Sequence, residues 1–300
     1  MSAKTPYLKT LALSLWLAIC FLPLSARVCK AQEDPYFVTY SDDLEEPGHL
    51  EVGTKTAIAA PDSSNTFGAV AMELEYGVRA WWTAEVYLDG QATAQDSAVF
   101  TGFRLENRAR LLTRDHRINP LIYVEYEDLS AADKTILEFV GHDMQDDMSM
   151  SNAVLRREHQ HEAELKLILS SDVKNWNISE NFIGEKNLGH APWEFGYAVG
   201  VSRPLRSAAR EHLCIFCAEK LTAGIEAYGG LGDTDSLTMR ATSHYAAPVL
   251  GWQLPKDTRL SFSYGIGLTR ESLDQAFRVG VAFEIDPLSG WFHGPRERVY

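Results

Sequence analysis

The residues able to do chemistry gather in a few short stretches. "GHDMQDDMSM" (141–150) sets His142, Met144, Met148 and Met150 among Asp143, Asp146 and Asp147. Thioethers and imidazole suit copper, and carboxylates suit harder cations, so the stretch reads either as a metal-binding surface loop or as a solvated acidic one. "REHQHE" carries His159 and His161, which on a strand point to the same side, as a shared ion requires. "CIFC" (Cys214, Cys217) reads as a disulfide, a redox pair or half of a metal site. No second C-x-x-C accompanies it and no βαβ pattern surrounds it, which favours a short structural disulfide in an oxidising compartment. Ser170, Ser171 and His161 lie on or beside one run, but their spacing matches no triad, and G-x-S-x-G and H-E-x-x-H are absent. The sequence therefore calls for no catalytic residue and no cofactor.

Lys4 and Lys9 precede the uncharged run "LALSLWLAICFLPL", followed by small residues at Cys29 and Ala31. That is the pattern of a signal peptide over residues 1–31, with a run too short for a membrane-spanning helix. Neither Cys20 nor Cys29 follows the small residue a lipid-anchor site shows. Removing residues 1–31 takes away four bases and no acid, so the net charge moves from −13 to −17. Such a balance argues against a nucleic-acid partner and against docking on anionic lipid. Residues 32–300 read as one domain, and if that domain enters a membrane it does so as strands.

The dominant period is two. In "VAMELEYGV" Val70, Met72, Leu74, Tyr76 and Val78 alternate with Ala71, Glu73, Glu75 and Gly77. In "RLSFSYGIGLT" Leu260, Phe262, Tyr264, Ile266 and Leu268 oppose Ser261, Ser263, Gly265, Gly267 and Thr269. About twelve such runs fall between 48 and 286, mostly longer than the usual 5 or 6 residues of a soluble strand. Length and even number predict an all-β fold: an antiparallel outer-membrane β-barrel of about 12 strands. A secreted two-sheet β-sandwich is the alternative, since it too alternates apolar with polar.

The connections alternate as a barrel's do. Short ones near 79–80, 113–119, 171–172 and 254–257 are expected on the periplasmic side; longer ones near 61–67, 130–154, 185–191 and 230–243 are expected outside. The long 203–218 stretch, which carries Cys214 and Cys217, breaks the rule. Trp81, Trp82, Trp176, Trp193 and Trp252 sit toward run ends, as an interfacial girdle requires.

If the apolar faces meet lipid, the polar faces line a lumen. That set comprises Glu73, Glu75 and Glu85, then the ladder Arg104, Glu106, Arg108 and Arg110, then Glu125 and Glu127. It continues with Glu162, Glu164, Lys166, Glu194, Glu226, Arg278 and Glu284. Two readings stand side by side: a charged lining that selects what passes, and an ion-pair network that fills a narrow barrel. The partners implied are outer-membrane lipid and small solutes, and the oligomeric state is left open.

"AELKLILSSDVKNWNISENFIGEKNL" (163–188), "WEFGYAVGVSRPL" (193–205) and "LGWQLPKDTRLSFSYGIGLTRESLDQAFRVGVAFEI" (250–285) resemble the outer-membrane barrel family named after the meta-pathway of phenol degradation. "LEYGVRAWWTAEVYLDG" (74–90) resembles that family's "EYG…W…E" hairpin. The resemblance implies a passive channel or transporter for small molecules, apolar or aromatic ones among them, and brings no catalytic motif. The chain departs from the pattern at its end, where "PLSGWFHGPRERVY" follows the last strand.

Overall fold

The computed structural model describes residues 35–60, 66–112, 116–133, 150–189, 191–205, 220–255 and 257–285. Twelve strands follow in chain order: β1 (Leu50–Ala59), β2 (Phe67–Arg79), β3 (Trp82–Thr93), β4 (Ala98–Arg110), β5 (Asn119–Ser130) and β6 (His159–Val173). The second half continues with β7 (Trp176–Asn187), β8 (Trp193–Pro204), β9 (Leu221–Asp233), β10 (His244–Leu254), β11 (Thr258–Gly267) and β12 (Gln275–Ile285). One short helix, α1 (Asn152–Leu155), precedes β6. Each strand pairs antiparallel with its sequence neighbours, and β1 pairs with β12, from Leu50↔Ile285 to Ala59↔Ala276. The barrel is closed, so no strand leaves its backbone groups unpaired at an edge. A 12-residue strand is about 40 Å long, and tilted by about 40° it spans about 30 Å, the thickness of a bilayer's hydrocarbon.

Burial along the strands decides between barrel and sandwich. On β6 Leu165 is 46% exposed, whereas Glu164 and Lys166 on either side are 0% and 2% exposed. Val70, Leu105, Val124, Phe182, Ile225 and Val281 continue the exposed apolar face around the wall. Facing inward are buried Glu85, Glu106, Glu125, Glu226 and Arg278. A sandwich buries its apolar alternates and wets the polar ones. Here the order is inverted and the sheet has no edge, so the sandwich expectation is corrected.

The chain enters β1 and leaves β12 at the same end, called here the near end. Two-residue turns sit there, including Lys174–Asn175, whose φ values of +52° and +67° give the left-handed pair a tight hairpin needs. This places the β6–β7 turn three residues beyond the expected 171–172, because Asn at a left-handed position is a stronger turn signal than Ser-Asp in a strand context. Length does not separate the ends cleanly: the near end also carries the connections 111–118 and 205–220, and the far end has the short ones 94–97 and 188–192 beside the long 131–158.

A candidate functional site: the filled, acidic lumen

Register turns scattered acids into a row. Directly opposed Cα pairs run Glu284↔Glu51, Glu51↔Glu75, Glu75↔Glu85, Glu85↔Glu106 and Glu106↔Glu125. They continue as Glu125↔Glu164, Glu164↔Glu185, Glu185↔Glu194 and Glu194↔Asp233. Opposed residues share a face, so ten successive strands present a carboxylate side by side, about 4.8 Å per step. Because the strands are tilted, the row climbs. It starts at the near end of β12 with Glu284 and finishes at the far end of β9 with Asp233.

Like charges directly opposite are destabilising, so the row needs counter-charge. Arg108 pairs with Glu75 (2.6 Å), Glu106 (2.7 Å) and Glu85 (3.3 Å). Arg104 grips Asp89 through Nε (3.0 Å) and Nη2 (3.3 Å) and stands 3.8 Å from Glu125. Lys166 pairs with Glu164 (2.8 Å) and Arg259 with Glu51 (2.9 Å), while Lys55 pairs with Glu73 beside the row. Aromatic faces shelter the cations: Arg104 lies 4.0 Å from the Tyr87 ring centre and Lys166 lies 4.1 Å from that of Tyr123. Ten row carboxylates face these few bases, and the lumen keeps an excess of acid.

Residues 35–49 form a strap inside the barrel. Glu226, buried on β9, accepts three consecutive backbone N–H groups, from Phe37 (3.1 Å), Val38 (2.8 Å) and Thr39 (2.8 Å). Asn181 accepts from the Tyr40 amide (2.6 Å) and donates to the Tyr40 carbonyl (2.8 Å), completing a ladder-like exchange with the wall. The Tyr40 hydroxyl donates to Glu106 (3.0 Å). Asn119 donates to the Asp42 carboxylate (2.6 Å), and Arg110 donates to the Asp42 carbonyl (2.8 Å). The wall leaves room where the strap passes: a Cβ on Gly200 would sit 2.6 Å from the Tyr36 ring.

Between the strap and β1–β3, β11 and β12 remains a cavity of about 330 Å³, lined by Asp43, Glu45, Glu46, Glu51, Glu73, Glu75, Glu85 and Glu284 against Lys55, Arg108 and Arg259. Burial, reinforced by Glu75 and Glu284, pushes the Glu45 carboxyl up to about 7. At this mouth Glu45, His49 and Glu284 bring three ligand atoms within 4.8 Å of one another.

The remaining sequence candidates lie elsewhere. Glu162 accepts from Asn187 (3.0 Å), Glu127 sits opposite Arg104, and Arg278 donates to Tyr228 (2.7 Å) on the inner wall. His159 and His161 are exposed at the far end of β6, where both approach Asp128, at 3.1 Å and 3.9 Å. His161 also meets the Tyr126 hydroxyl at 3.0 Å. Met150 is exposed. His142, Met144, Met148, Cys214 and Cys217 lie outside the described residues, as does the 1–31 segment. Ser170 is buried near the opposite end of β6 from His161, sharing hydrogen bonds with Ser179 and Asn177, and Ser171 donates to the Arg117 carbonyl. Nine residues of extended chain, about 30 Å, separate the serine from the histidine.

Sequence reasoning missed the whole strap and three members of the row: Glu51, Glu185 and Asp233. Glu51 shares the parity of Lys55 on β1, a signal present in the alternation. Glu185 falls just past the expected end of its run, and Asp233 follows a register shift between Phe195 and Gly196 that alternation cannot show.

No protein-family model and no curated protein matches the sequence. Among solved structures, an outer membrane channel from Pseudomonas putida F1 superposes with a TM-score of 0.52 at 8% identity, covering 85% of this chain and 100% of that one. The fold is that of an outer-membrane β-barrel. The KdgM porin (TM-score 0.45, 7% identity, 78% of this chain and 98% of that one) and the NanC porin (0.45, 12%, 79% and 100%) are more distant in shape.

Proposed function

We propose that the barrel is a passive outer-membrane channel for small solutes, with a preference for cations set by the carboxylate row. The row carries this reading. Its excess negative charge inside a wall of low dielectric must be met by protons or by mobile cations. Carboxylates partly neutralised by Arg and Lys suit conduction, where a lining binds a cation well enough to admit it and poorly enough to release it. In this reading residues 1–31 are removed on export, residues 32–300 form one barrel domain, and the near end faces the periplasm. The strap narrows the path, and the acidic cavity lies beside it.

The test is a planar bilayer with a potassium chloride gradient. A reversal potential on the cation side is expected, moving toward zero when Glu106, Glu125 and Glu164 are replaced by Gln. Anion preference in the wild-type protein would overturn the proposal. The family resemblance points instead to apolar or aromatic solutes, and liposome swelling discriminates: faster entry of aromatic acids than of lysine would favour that alternative.

A further inference from the structure

We infer that Glu45, His49 and Glu284 form a divalent metal site of the zinc type, which clasps the strap to the last strand at the near mouth of the barrel. The three side chains come from two separate parts of the chain, two from the strap and one from the end of β12, and their ligand atoms lie within 4.8 Å of one another. Zinc bonds of 2.0–2.2 Å place tetrahedral ligands about 3.4 Å apart. Side-chain torsions close that difference, since His49 Nδ1 already touches Glu284 Oε1.

The backbone around His49 is fixed before any ion binds. Gly48 N donates to Gly77 O (2.7 Å), His49 N donates to Glu46 O (3.0 Å), and Gly77 N donates to His49 O (3.1 Å). Gly48 takes φ +90°, which lets the chain turn back toward β12. The other imidazole nitrogen of His49 points to Glu46, 3.9 Å away. A metal-bound histidine commonly donates a hydrogen bond from that nitrogen to a carboxylate, and exposed Glu46, here beyond hydrogen-bond distance, can reach it by a change of rotamer.

Charge points the same way. Glu284 is the first carboxylate of the row and faces Glu51 directly, and the cavity beside it also holds Glu46 and Glu75. A dication at this point offsets acids that Arg259 and Arg108 leave in excess. One imidazole with two carboxylates is a donor set that zinc accepts, whereas magnesium and calcium prefer oxygen alone. Three protein ligands leave a fourth position open.

The experiment uses the folded full-length protein in detergent, stripped of metal and titrated with zinc against a chromophoric chelator. One equivalent is expected to bind, and His49→Ala and Glu284→Gln should each weaken it at least tenfold. A His159→Ala/His161→Ala variant should keep the site, which separates it from the exposed histidines at the far end of β6. Cobalt should give the visible absorption of a four-coordinate ion in the wild type and lose it in His49→Ala. Heat-modifiable gel migration verifies that each variant is folded. Zinc affinity unchanged by both single replacements, or abolished by the His159→Ala/His161→Ala replacement, would overturn the assignment. Neither result bears on ion selectivity, so this test and that of conduction fail separately.

Discussion

Replacing Glu226 by Gln should release the strap while leaving the barrel closed. The carboxylate accepts three backbone N–H groups at 2.8–3.1 Å: Oε1 takes one from Phe37 and Oε2 takes those of Val38 and Thr39. A hydrogen bond to a charged acceptor contributes about 1.5–3 kcal/mol. Gln offers one acceptor oxygen, and its amide nitrogen then faces N–H donors that it cannot accept. Losing one or two of the three bonds weakens strap docking by about 3–4 kcal/mol, a factor of about 10² to 10³ in the docked-to-free ratio. The strap contains Glu45 and Glu46, so a glutamate-specific protease reports its release directly. Where opening is fast relative to cleavage, the rate follows the open population and should rise about a hundredfold, with larger single-channel conductance alongside. The heat-shifted gel band of the folded barrel should persist. Cleavage and conductance both at wild-type values in a folded Glu226→Gln protein would refute the view that this carboxylate holds the strap.

Asn181→Ala removes two neutral hydrogen bonds to Tyr40 and should loosen the strap by about 1–3 kcal/mol, seen as a smaller rise in the same cleavage rate. Gly200→Val should displace the N-terminal part of the strap, because even a Cβ there would lie 2.6 Å from Tyr36, and Tyr36 fluorescence accessibility or cleavage reads the outcome. On the lipid face, Leu165→Arg should cost about 2–4 kcal/mol of folding stability in vesicles, measured by urea titration, since it puts a charge at mid-membrane. Arg104→Gln/Arg108→Gln/Arg110→Gln should strengthen cation preference in the bilayer while lowering stability, because each removed guanidinium leaves carboxylates such as Asp89 and Glu75 without their partner. Unchanged selectivity in that variant would show that the ladder only fills space.

Much of the fold was legible because a strand writes its faces into the chain. Leu165 between Glu164 and Lys166, or Phe262 between Ser261 and Ser263, fixes which side meets lipid once a barrel is assumed, and the count of twelve follows from counting such runs. Turns were legible where their residues demand a conformation, although the Lys174–Asn175 hairpin lay three residues past the place alternation suggested. The inward acids could be named one by one. Their alignment could not, because a strand's own sequence says nothing about its neighbour's register. Closure through β1 and β12, and the shifts at Asp89/Gly90 and Phe195/Gly196, set which carboxylate stands beside which.

The strap belongs wholly to tertiary structure. "PYFVTYSDDLEEPGH" has no sustained period, and its hydrogen-bond partners lie up to 235 residues away. Its buried backbone polar groups must be satisfied, and only the assembled wall supplies Glu226, Asn181 and Arg110 for them, with Asn119 for the Asp42 carboxylate. The sequence by itself determined an alternating, twelve-stranded chain with polar residues on one face. The closed barrel decided that those residues form a climbing carboxylate row, because register is a property of strand pairs and not of any one strand.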